Sequence, residues 1–128
     1  MTKNCITTEG APKPVGPYSQ AVSAGGFVFT AGQLGVDPST GAMPPTVEAQ
    51  AEQALKNLRA VLEAGGSSMD RVLKTTVLLA DMKDFAVVNR VYADFFREPF
   101  PARSAFQVAG LPLGALVEIE AVAFSGRK

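Results

Sequence analysis

The stretch Thr46–Ala80, TVEAQAEQALKNLRAVLEAGGSSMDRVLKTTVLLA, joins a helical pattern to a strand pattern. Apolar residues recur every three or four positions over Val47–Ala64, which predicts an amphipathic helix with Thr46 as its N-cap. Gly65-Gly66 is a helix-ending signal. Residues 72–80 (VLKTTVLLA) are rich in β-branched and aliphatic side chains, and this composition predicts a strand. The stretch is therefore typical of a fold in which helices and strands pack together.

Further elements are predicted on both sides of this stretch. Upstream, residues 18–23 and 27–31 flank Gly25-Gly26 and predict a β-hairpin. Downstream, the patterns predict a second helix from Lys83 or Phe85 to Arg97, capped by Asp81 or Asp84, and strands over residues 104–109 and 116–124. The order β-β-α-β-α-β-β is typical of an α+β fold, with two helices on one face of a mixed sheet.

Length and composition indicate one globular domain over residues 1–128. The chain has 13.4 kDa, 47% hydrophobic and 19% charged residues, and a formal net charge of +0. This balance argues against a nucleic-acid partner, which clustered cations would attract. No uncharged run approaches the roughly 20 residues of a membrane span, and the first residues lack the apolar core of a signal peptide. We therefore expect a soluble, cytoplasmic protein without a membrane partner.

The rarest residue types exclude several kinds of site. The chain has no histidine and one cysteine, Cys5. A Ser-His-Asp triad, a histidine zinc site and an internal disulfide are thus all excluded. Any chemistry must use carboxylates, Arg, Lys, Tyr, hydroxyls, backbone groups and bound water.

Several predicted strands are apolar on both faces, although two helices can cover only one face of a sheet. The alternation places Phe27 and Phe29 opposite Val28 and Thr30, and it places Leu73, Val77 and Leu79 opposite Val72 and Leu78. A large apolar face without a cover is typical of an interface, so the pattern predicts a homo-oligomer. Coverage of that face by the long loops is the alternative.

Two carboxylates alternate with apolar residues in the last predicted strand. Residues two apart in a strand point to the same face, about 6.5–7 Å from each other, so Glu118 and Glu120 share a face. Such a pair can serve general acid/base chemistry through a bound water. A surface strand whose glutamates contact solvent or lysines has the same spacing, and from spacing alone it is the commoner case.

Four other residues are candidates for a binding pocket. Arg103 precedes a predicted strand, and its planar guanidinium could bind a substrate carboxylate with two hydrogen bonds. Gly32 follows a strand, where the missing side chain lets a ligand approach the backbone. Tyr18 and Asn89 could line a pocket. Taken singly, each of the four is more typical of an ordinary structural role: a solvated charge, a turn, or a packing or capping residue.

Taken together, motifs across nearly the whole chain resemble the RidA/YjgF family of imine and enamine deaminases. The matching segments, in order, are Gly16-Pro17-Tyr18-Ser19-Gln20-Ala21, Thr30-Ala31-Gly32-Gln33, Lys74-Thr75-Thr76-Val77, Asp84-Phe85, Val88-Asn89, Tyr92, Phe95-Phe96, Phe100-Pro101-Ala102-Arg103-Ser104, Leu111-Pro112 and Val117-Glu118-Ile119-Glu120-Ala121. The resemblance implies a chorismate-mutase-like protomer that forms a homotrimer, with ligand sites in clefts between subunits. It also implies hydrolysis of 2-imino and 2-enamino acids, such as 2-iminobutanoate and 2-iminopropanoate, to 2-oxo acids and ammonia. Pyridoxal-phosphate enzymes release these substrates, and the protein itself would need no cofactor.

The resemblance also assigns roles to individual residues. Arg103 matches the arginine that binds the substrate carboxylate, and Glu118 matches the glutamate that holds the attacking water. Tyr18, Gly32 and Asn89 match pocket positions, and the backbone of Ala105 would orient the imine nitrogen.

The chain departs from the family pattern at Ala105 and at Ala31, which precedes Gly32. Many members have cysteine at position 105 and serine at position 31, where this chain has alanine. A cysteine nucleophile is thereby excluded at position 105. The departures keep a second hypothesis open, in which a non-catalytic trimer binds a 2-oxo acid in the same cleft. A role in RNA cleavage, also attributed to some relatives, is disfavoured by the neutral charge and the absence of histidine.

Overall fold

The computed structural model of the protein describes residues 1–126, and its longest helix, α1, spans Val47–Ala64. Thr46 caps this helix as the sequence predicts, because its Oγ1 accepts a hydrogen bond of 3.2 Å from the backbone N–H of Ala49. The apolar stripe of α1 is fully buried against the sheet, and its members are Ala51, Ala54, Leu55, Leu58, Val61 and Leu62. The helix ends at Ala64, directly before Gly65, so both predicted ends of α1 are confirmed.

Apart from three short 3₁₀ turns, seven strands and a second α-helix complete the regular structure within residues 1–126. They are β1 (Asn4–Ile6), β2 (Ala21–Ala24), β3 (Phe27–Thr30), β4 (Gln33–Leu34), β5 (Val72–Leu79), α2 (Phe85–Ala93), β6 (Ala102–Gln107) and β7 (Val117–Phe124). Strands β1 and β4 were not predicted, because segments of three and two residues are too short to show an alternation. The other strands and both helices follow the predicted order.

All seven strands form one mixed sheet. Its order is β1-β2-β3-β7-β5-β6, with β4 also paired to β7. Only β5 and β6 are parallel, while every other pair is antiparallel. Helix α1 packs on β7, β3 and β4, and α2 packs beside α1. The predicted α+β class, with two helices on one face of a mixed sheet, is confirmed.

The predicted hairpin is present as β2 and β3. Ala24 pairs with Phe27, so the loop consists of Gly25 and Gly26 alone. Both glycines have positive φ angles, 60° and 84°, as a two-residue hairpin turn of this kind requires. Strand β2 begins at Ala21 rather than at Tyr18, and just before it the buried side chain of Gln20 bonds the backbone of the N-terminal loop at Thr8 and Pro12.

The second helix is shorter than the sequence predicted. It begins at Phe85, one of the two expected starts, but it ends at Ala93 and not at Arg97. The backbone N–H groups of Asp94 and Phe95 bond carbonyls only three residues back, which tightens and ends the helix. Phe96 is nevertheless buried in the core. The apolar spacing therefore continues for several residues beyond the last helical turn.

The face assignment predicted for β5 was wrong at its first two residues. A bulge between Val72 and Lys74 shifts the pairing with β7 by one residue. Val72 is therefore buried on the same side as Val77 and Leu79, whereas Leu73 is exposed. An extra residue in a strand reverses the faces of everything before it, which alternation alone does not reveal. Strand β6 likewise begins and ends two residues earlier than predicted, where it pairs with β5.

The sheet face away from the helices carries exposed aromatic side chains and is uncovered in the single chain. Four phenylalanines on this face, which we call the open face, are each 40–48% exposed: Phe27, Phe29, Phe106 and Phe124. The loops of the described chain do not cover them, contrary to the alternative left open by the sequence. The open face is the surface on which the predicted oligomer depends. Neither helix of the described chain has the length and hydropathy of a bilayer span.

Candidate functional site

The side chain of Arg103 lies in a cradle formed by α2. Its Nη1 donates a hydrogen bond of 2.7 Å to Oδ1 of Asn89. Its guanidinium carbon lies 4.9 Å from the ring centre of Tyr92 and 5.4 Å from that of Phe85. These three residues are four and three positions apart, so they share one face of the helix. Each aromatic contact contributes about 0.5–2 kcal/mol and restricts the orientation of the guanidinium.

The cradle is anchored to the sheet through Tyr92. Its hydroxyl and the Oγ1 of Thr75 are 2.7 Å apart, and Thr75 is completely buried. Thr75 is also the strand neighbour of Arg103, since the two pair in register between β5 and β6. Burial raises the pKa of the Tyr92 hydroxyl, against smaller opposing effects of Thr75 and Arg103, so it stays protonated. The Tyr92 ring is thus fixed directly beside the arginine it contacts.

The sequence alone does not reveal the cradle, because the spacing of Phe85 and Tyr92 is also that of an apolar stripe by which a helix packs on a core. Both do pack on the core, and Tyr92 also contacts Phe96, with ring centres 4.5 Å apart. Their second role depends on a strand that is distant in sequence. The available signal was the spacing of Phe85, Asn89 and Tyr92 on one helix face.

Glu118 lies on the open face of β7, next to Leu34 on one side and Leu78 on the other. Its side chain is half-buried. Burial raises the pKa of its carboxyl above the usual range, and the nearby charge of Glu120 raises it further. A carboxyl held in this way can exchange protons with a bound water more readily than a fully solvated one.

Gly32 makes room for the Glu118 carboxylate. A Cβ placed on Gly32 would overlap Oε2 of Glu118 and would come within 2.7 Å of its carboxyl carbon. Any larger residue would therefore displace the carboxylate. The sequence made Gly32 a candidate for the close approach of a ligand, whereas the group next to its backbone in the single chain is the carboxylate of Glu118.

A cleft of about 410 Å³ opens beside Glu118, and we call it the Glu118 cleft. Its size is typical of small-molecule sites. The lining residues are Val15, Tyr18, Ala31, Gly32, Leu34, Pro112, Leu113 and Glu118. The wall at Leu34 is held from behind by buried Asn57, whose side-chain N–H groups bond the carbonyls of Leu34 and Val36. Three predicted site residues, Tyr18, Gly32 and Glu118, thus lie together.

The remaining site residues lie elsewhere in the same chain. Arg103 and Ala105 are on the helix side of β6, and Asn89 is on α2. Arg103 pairs with Thr75, which points toward the helices, whereas Glu118 pairs with Leu78, three positions further along β5. An odd offset along a strand reverses the face, so Arg103 and Glu118 lie on opposite sides of the sheet. Their backbones are also separated by two strand spacings, about 10 Å, across the sheet and by three residues, about 10 Å, along the strands.

The site residues therefore form two groups, which we call the Arg103 half-site and the Glu118 half-site. One chain does not bring the two groups together. Within residues 1–126, no cluster of three or more Cys, Asp or Glu side chains has a geometry that could hold a metal ion.

The anchor between Tyr92 and Thr75 can be tested by a double-mutant cycle. Tyr92→Phe or Thr75→Val alone leaves one buried hydroxyl without its partner, so each should lower the free energy of unfolding by about 1–3 kcal/mol. The double variant removes both polar groups and should lose less than the sum of the two. Urea denaturation gives the free energy of unfolding of wild type, the two single variants and the double variant. Strictly additive losses would contradict the anchor.

The pKa of Glu118 makes a signed prediction about stability. Because burial raises this pKa from its ordinary value of 4.5, the folded chain holds the proton more tightly than the unfolded chain does. The contribution of Glu118 to stability is therefore fully present below pH 4.5 and is lost as pH rises through the folded-state pKa. The free energy of unfolding of wild type minus that of Glu118→Gln should therefore decrease as the pH rises from 4.5 through the folded-state pKa. Denaturation measured from about pH 3.5 to 8 checks this decrease.

Glu120→Gln provides the second arm of that titration. Removing the charge of Glu120 should lower the folded-state pKa of Glu118. The pH range over which stability is lost should therefore become narrower. A difference between wild type and Glu118→Gln that grows with pH would contradict the assignment.

Comparison with known proteins places the chain in a family. Residues 8–125 match the family model described as Endoribonuclease L-PSP. A mouse protein named 2-iminobutanoate/2-iminopropanoate deaminase is 50% identical over 127 residues, which cover 98% of this chain and 94% of the mouse protein.

Solved structures agree with the sequence matches. RidA from the Antarctic bacterium Psychrobacter sp. superposes with a TM-score of 0.92 at 48% identity, over 94% of this chain and 98% of that one. Escherichia coli TdcF with bound serine also gives a TM-score of 0.92, at 44% identity, over 96% and 99% of the two chains. The chain therefore belongs to the endoribonuclease L-PSP family of RidA/YjgF proteins, as its motifs indicated.

Proposed function

We propose that this protein hydrolyses 2-imino acids, such as 2-iminobutanoate and 2-iminopropanoate, to 2-oxo acids and ammonia. The activity named for the mouse relative supports the reaction class. The observation that carries the proposal in this chain is that the guanidinium of Arg103 is oriented by its neighbours but has no carboxylate partner among the described residues. Its guanidinium is held by three residues of α2, yet within residues 1–126 no carboxylate pairs with it. An oriented cation without an anionic partner suits the carboxylate that every 2-imino acid carries.

The two half-sites supply complementary parts of the reaction. Arg103 binds the substrate carboxylate, and the backbone of Ala105, two residues along the same strand, orients the imine nitrogen. Glu118 holds a water and accepts one of its protons as the oxygen attacks the imine carbon. Glu118 passes this proton to the nitrogen and then transfers the remaining hydroxyl proton in the same way, so that the carbonyl forms as the C–N bond breaks and the 2-oxo acid and ammonia leave. One water is consumed, and no electrons are transferred to or from the substrate.

The separation of the half-sites implies that two copies of the chain build each site. We propose a homotrimer in which the open faces pack inward and the Arg103 half-site of one subunit meets the Glu118 half-site of the next. Burial of the four exposed phenylalanines would stabilise this assembly, because each Å² of apolar surface removed from water contributes about 25 cal/mol. Imine hydrolysis is intrinsically easy, so orientation and one placed water can account for the acceleration.

Replacing Arg103 tests the proposed carboxylate contact. Arg103→Ala should cost about 2–4 kcal/mol of transition-state stabilisation, because a charge-assisted contact is lost. This corresponds to a decrease in kcat/KM of roughly 30- to 1,000-fold. A threonine dehydratase generates the enamine of 2-iminobutanoate in situ, and its decay is followed with and without the protein. Arg90→Ala is the matched control, since Arg90 is on the same helix but is exposed and paired with Glu48. A loss of less than tenfold in Arg103→Ala would remove this role.

Mixing two inactive variants tests whether sites are shared between copies. Arg103→Ala and Glu118→Ala, unfolded together and refolded, should recover activity, because some sites combine an intact Arg103 with an intact Glu118. Random mixing in a closed ring gives such a pair at about a quarter of the sites. Sedimentation should give three chains per particle, and recovery no greater than that of the separate variants would contradict a shared site. An assembled wild type that binds 2-oxobutanoate without accelerating imine decay would instead indicate the non-catalytic binding protein.

A further inference from the structure

One residue of the Glu118 cleft has an unusual backbone conformation. Leu113 has φ 59° and ψ 21°, and it is the only residue other than glycine with a positive φ among residues 1–126. A leucine in this left-handed region costs about 1–3 kcal/mol, which glycine would avoid. Gly114, which follows it, also has a positive φ of 66°. A residue held in a strained backbone conformation beside a cleft is a candidate for a role in function.

The side chain of Leu113 has no evident role in the core. It is 73% exposed, and it is absent from the buried cluster that holds the sheet and helices together. It does line the Glu118 cleft, and it also lines an adjoining cleft of about 290 Å³ that shares Val15, Tyr18, Gly32 and Leu34. The left-handed turn therefore places an exposed leucine at the junction of two clefts instead of in the interior.

The chemistry of the Glu118 cleft indicates what Leu113 would contact. Five of its eight lining residues are Val15, Ala31, Leu34, Pro112 and Leu113, and Glu118 is the only charged one. A substrate carboxylate bound at Arg103 and an imine carbon placed at Glu118 leave only the side chain of the imino acid to occupy the apolar wall. A side-chain carboxylate there would lose its water and face the charge of Glu118.

We propose that Leu113 is a specificity-determining residue that selects imino acids with aliphatic side chains longer than methyl. The proposal rests on the function proposed above and adds the side-chain preference of the same site. Each buried methylene favours binding by on the order of fourfold, so lengthening the substrate by two methylenes should raise kcat/KM on the order of 16-fold. An imino acid with a side-chain carboxylate should be a poor substrate.

The experiment compares substrates of increasing length on wild type, Leu113→Ala and Leu113→Gly. An L-amino-acid oxidase generates the imines of alanine, 2-aminobutyrate, norvaline and aspartate, and each rate is divided by the uncatalysed decay. Wild type should prefer the norvaline imine over the alanine imine by about 16-fold, and both variants should reduce this ratio to below about fourfold. Affinities for pyruvate and 2-oxopentanoate, measured by calorimetry, should show the same loss of selectivity without any turnover.

Two controls separate selectivity from folding. Leu113→Gly relieves the left-handed strain and Leu113→Ala does not, so the glycine variant should unfold at the higher temperature of the two although both lose selectivity. Met82→Ala removes another exposed apolar side chain that lies outside both clefts, and it should leave the length ratio unchanged. Sedimentation confirms that each variant keeps its assembly.

The outcomes distinguish this inference from the proposed function. Acceleration of all imines with no dependence on length, or a length ratio that survives both Leu113 variants, would overturn the role of Leu113 and leave the deaminase intact. A change in unfolding temperature without a change in selectivity would show that Leu113 serves only the loop. No acceleration of any imine by assembled wild type would overturn the deaminase itself, and a length-independent affinity for 2-oxo acids would still overturn the role of Leu113.

Discussion

The alternation of strand β7 is the constraint on which the rest of the molecule depends. This strand pairs with β3, β4 and β5, so it lies at the centre of the sheet. Its residues alternate between a buried row and a row on the open face; the buried row is Val117, Ile119, Ala121 and Ala123. Burying one side chain the size of Ile119 contributes about 1.5–3 kcal/mol, and a slip of one residue would expose the whole row. Register is therefore strongly fixed, and with it the position of Glu118.

The same constraint divides the candidate site. Because Glu118 must alternate with Val117 and Ile119, it has to leave the helix side of the sheet. Arg103 is held on the helix side by Asn89 and two aromatic rings of α2. A sheet with helices on one face cannot bring these two side chains together within one chain. The proposed shared site and the exposed phenylalanines of the open face thus share one structural cause, a sheet that is covered on one side only.

The electrostatic environments of the two half-sites differ, and each environment suits the role proposed for its half-site: binding the substrate carboxylate at Arg103 and exchanging protons with water at Glu118. The Arg103 guanidinium is bounded by aromatic faces and an amide oxygen, which orient it without neutralising its charge. The Glu118 carboxyl is bounded by apolar walls and a second carboxylate, which raise its pKa. Binding an anion requires a permanent charge, whereas handling the protons of a water requires a group that can change its charge.

The sequence predicted the long elements because each has its own period. Helix α1 follows from the stripe between Val47 and Ala64, and β7 follows from its alternation. Predictions from the sequence were wrong where the end of an element or the face of a residue depends on hydrogen bonds to other parts of the chain. The end of α2 at Ala93 depends on hydrogen bonds to carbonyls three residues back, the bulge in β5 depends on pairing with β7, and β1 and β4 are too short to have a period.

For the site, the sequence by itself determined which residue types are available and, through its motifs, the family. It named Tyr18, Gly32, Asn89, Arg103, Ala105 and Glu118 as candidates. Only the tertiary structure decided that these residues fall into two groups on opposite faces, that Phe85 and Tyr92 hold Arg103, and that Leu113 lines the Glu118 cleft. Periodicity reports the environment along one element, whereas these arrangements depend on which strands are neighbours and in what register, and that is fixed only when the sheet assembles.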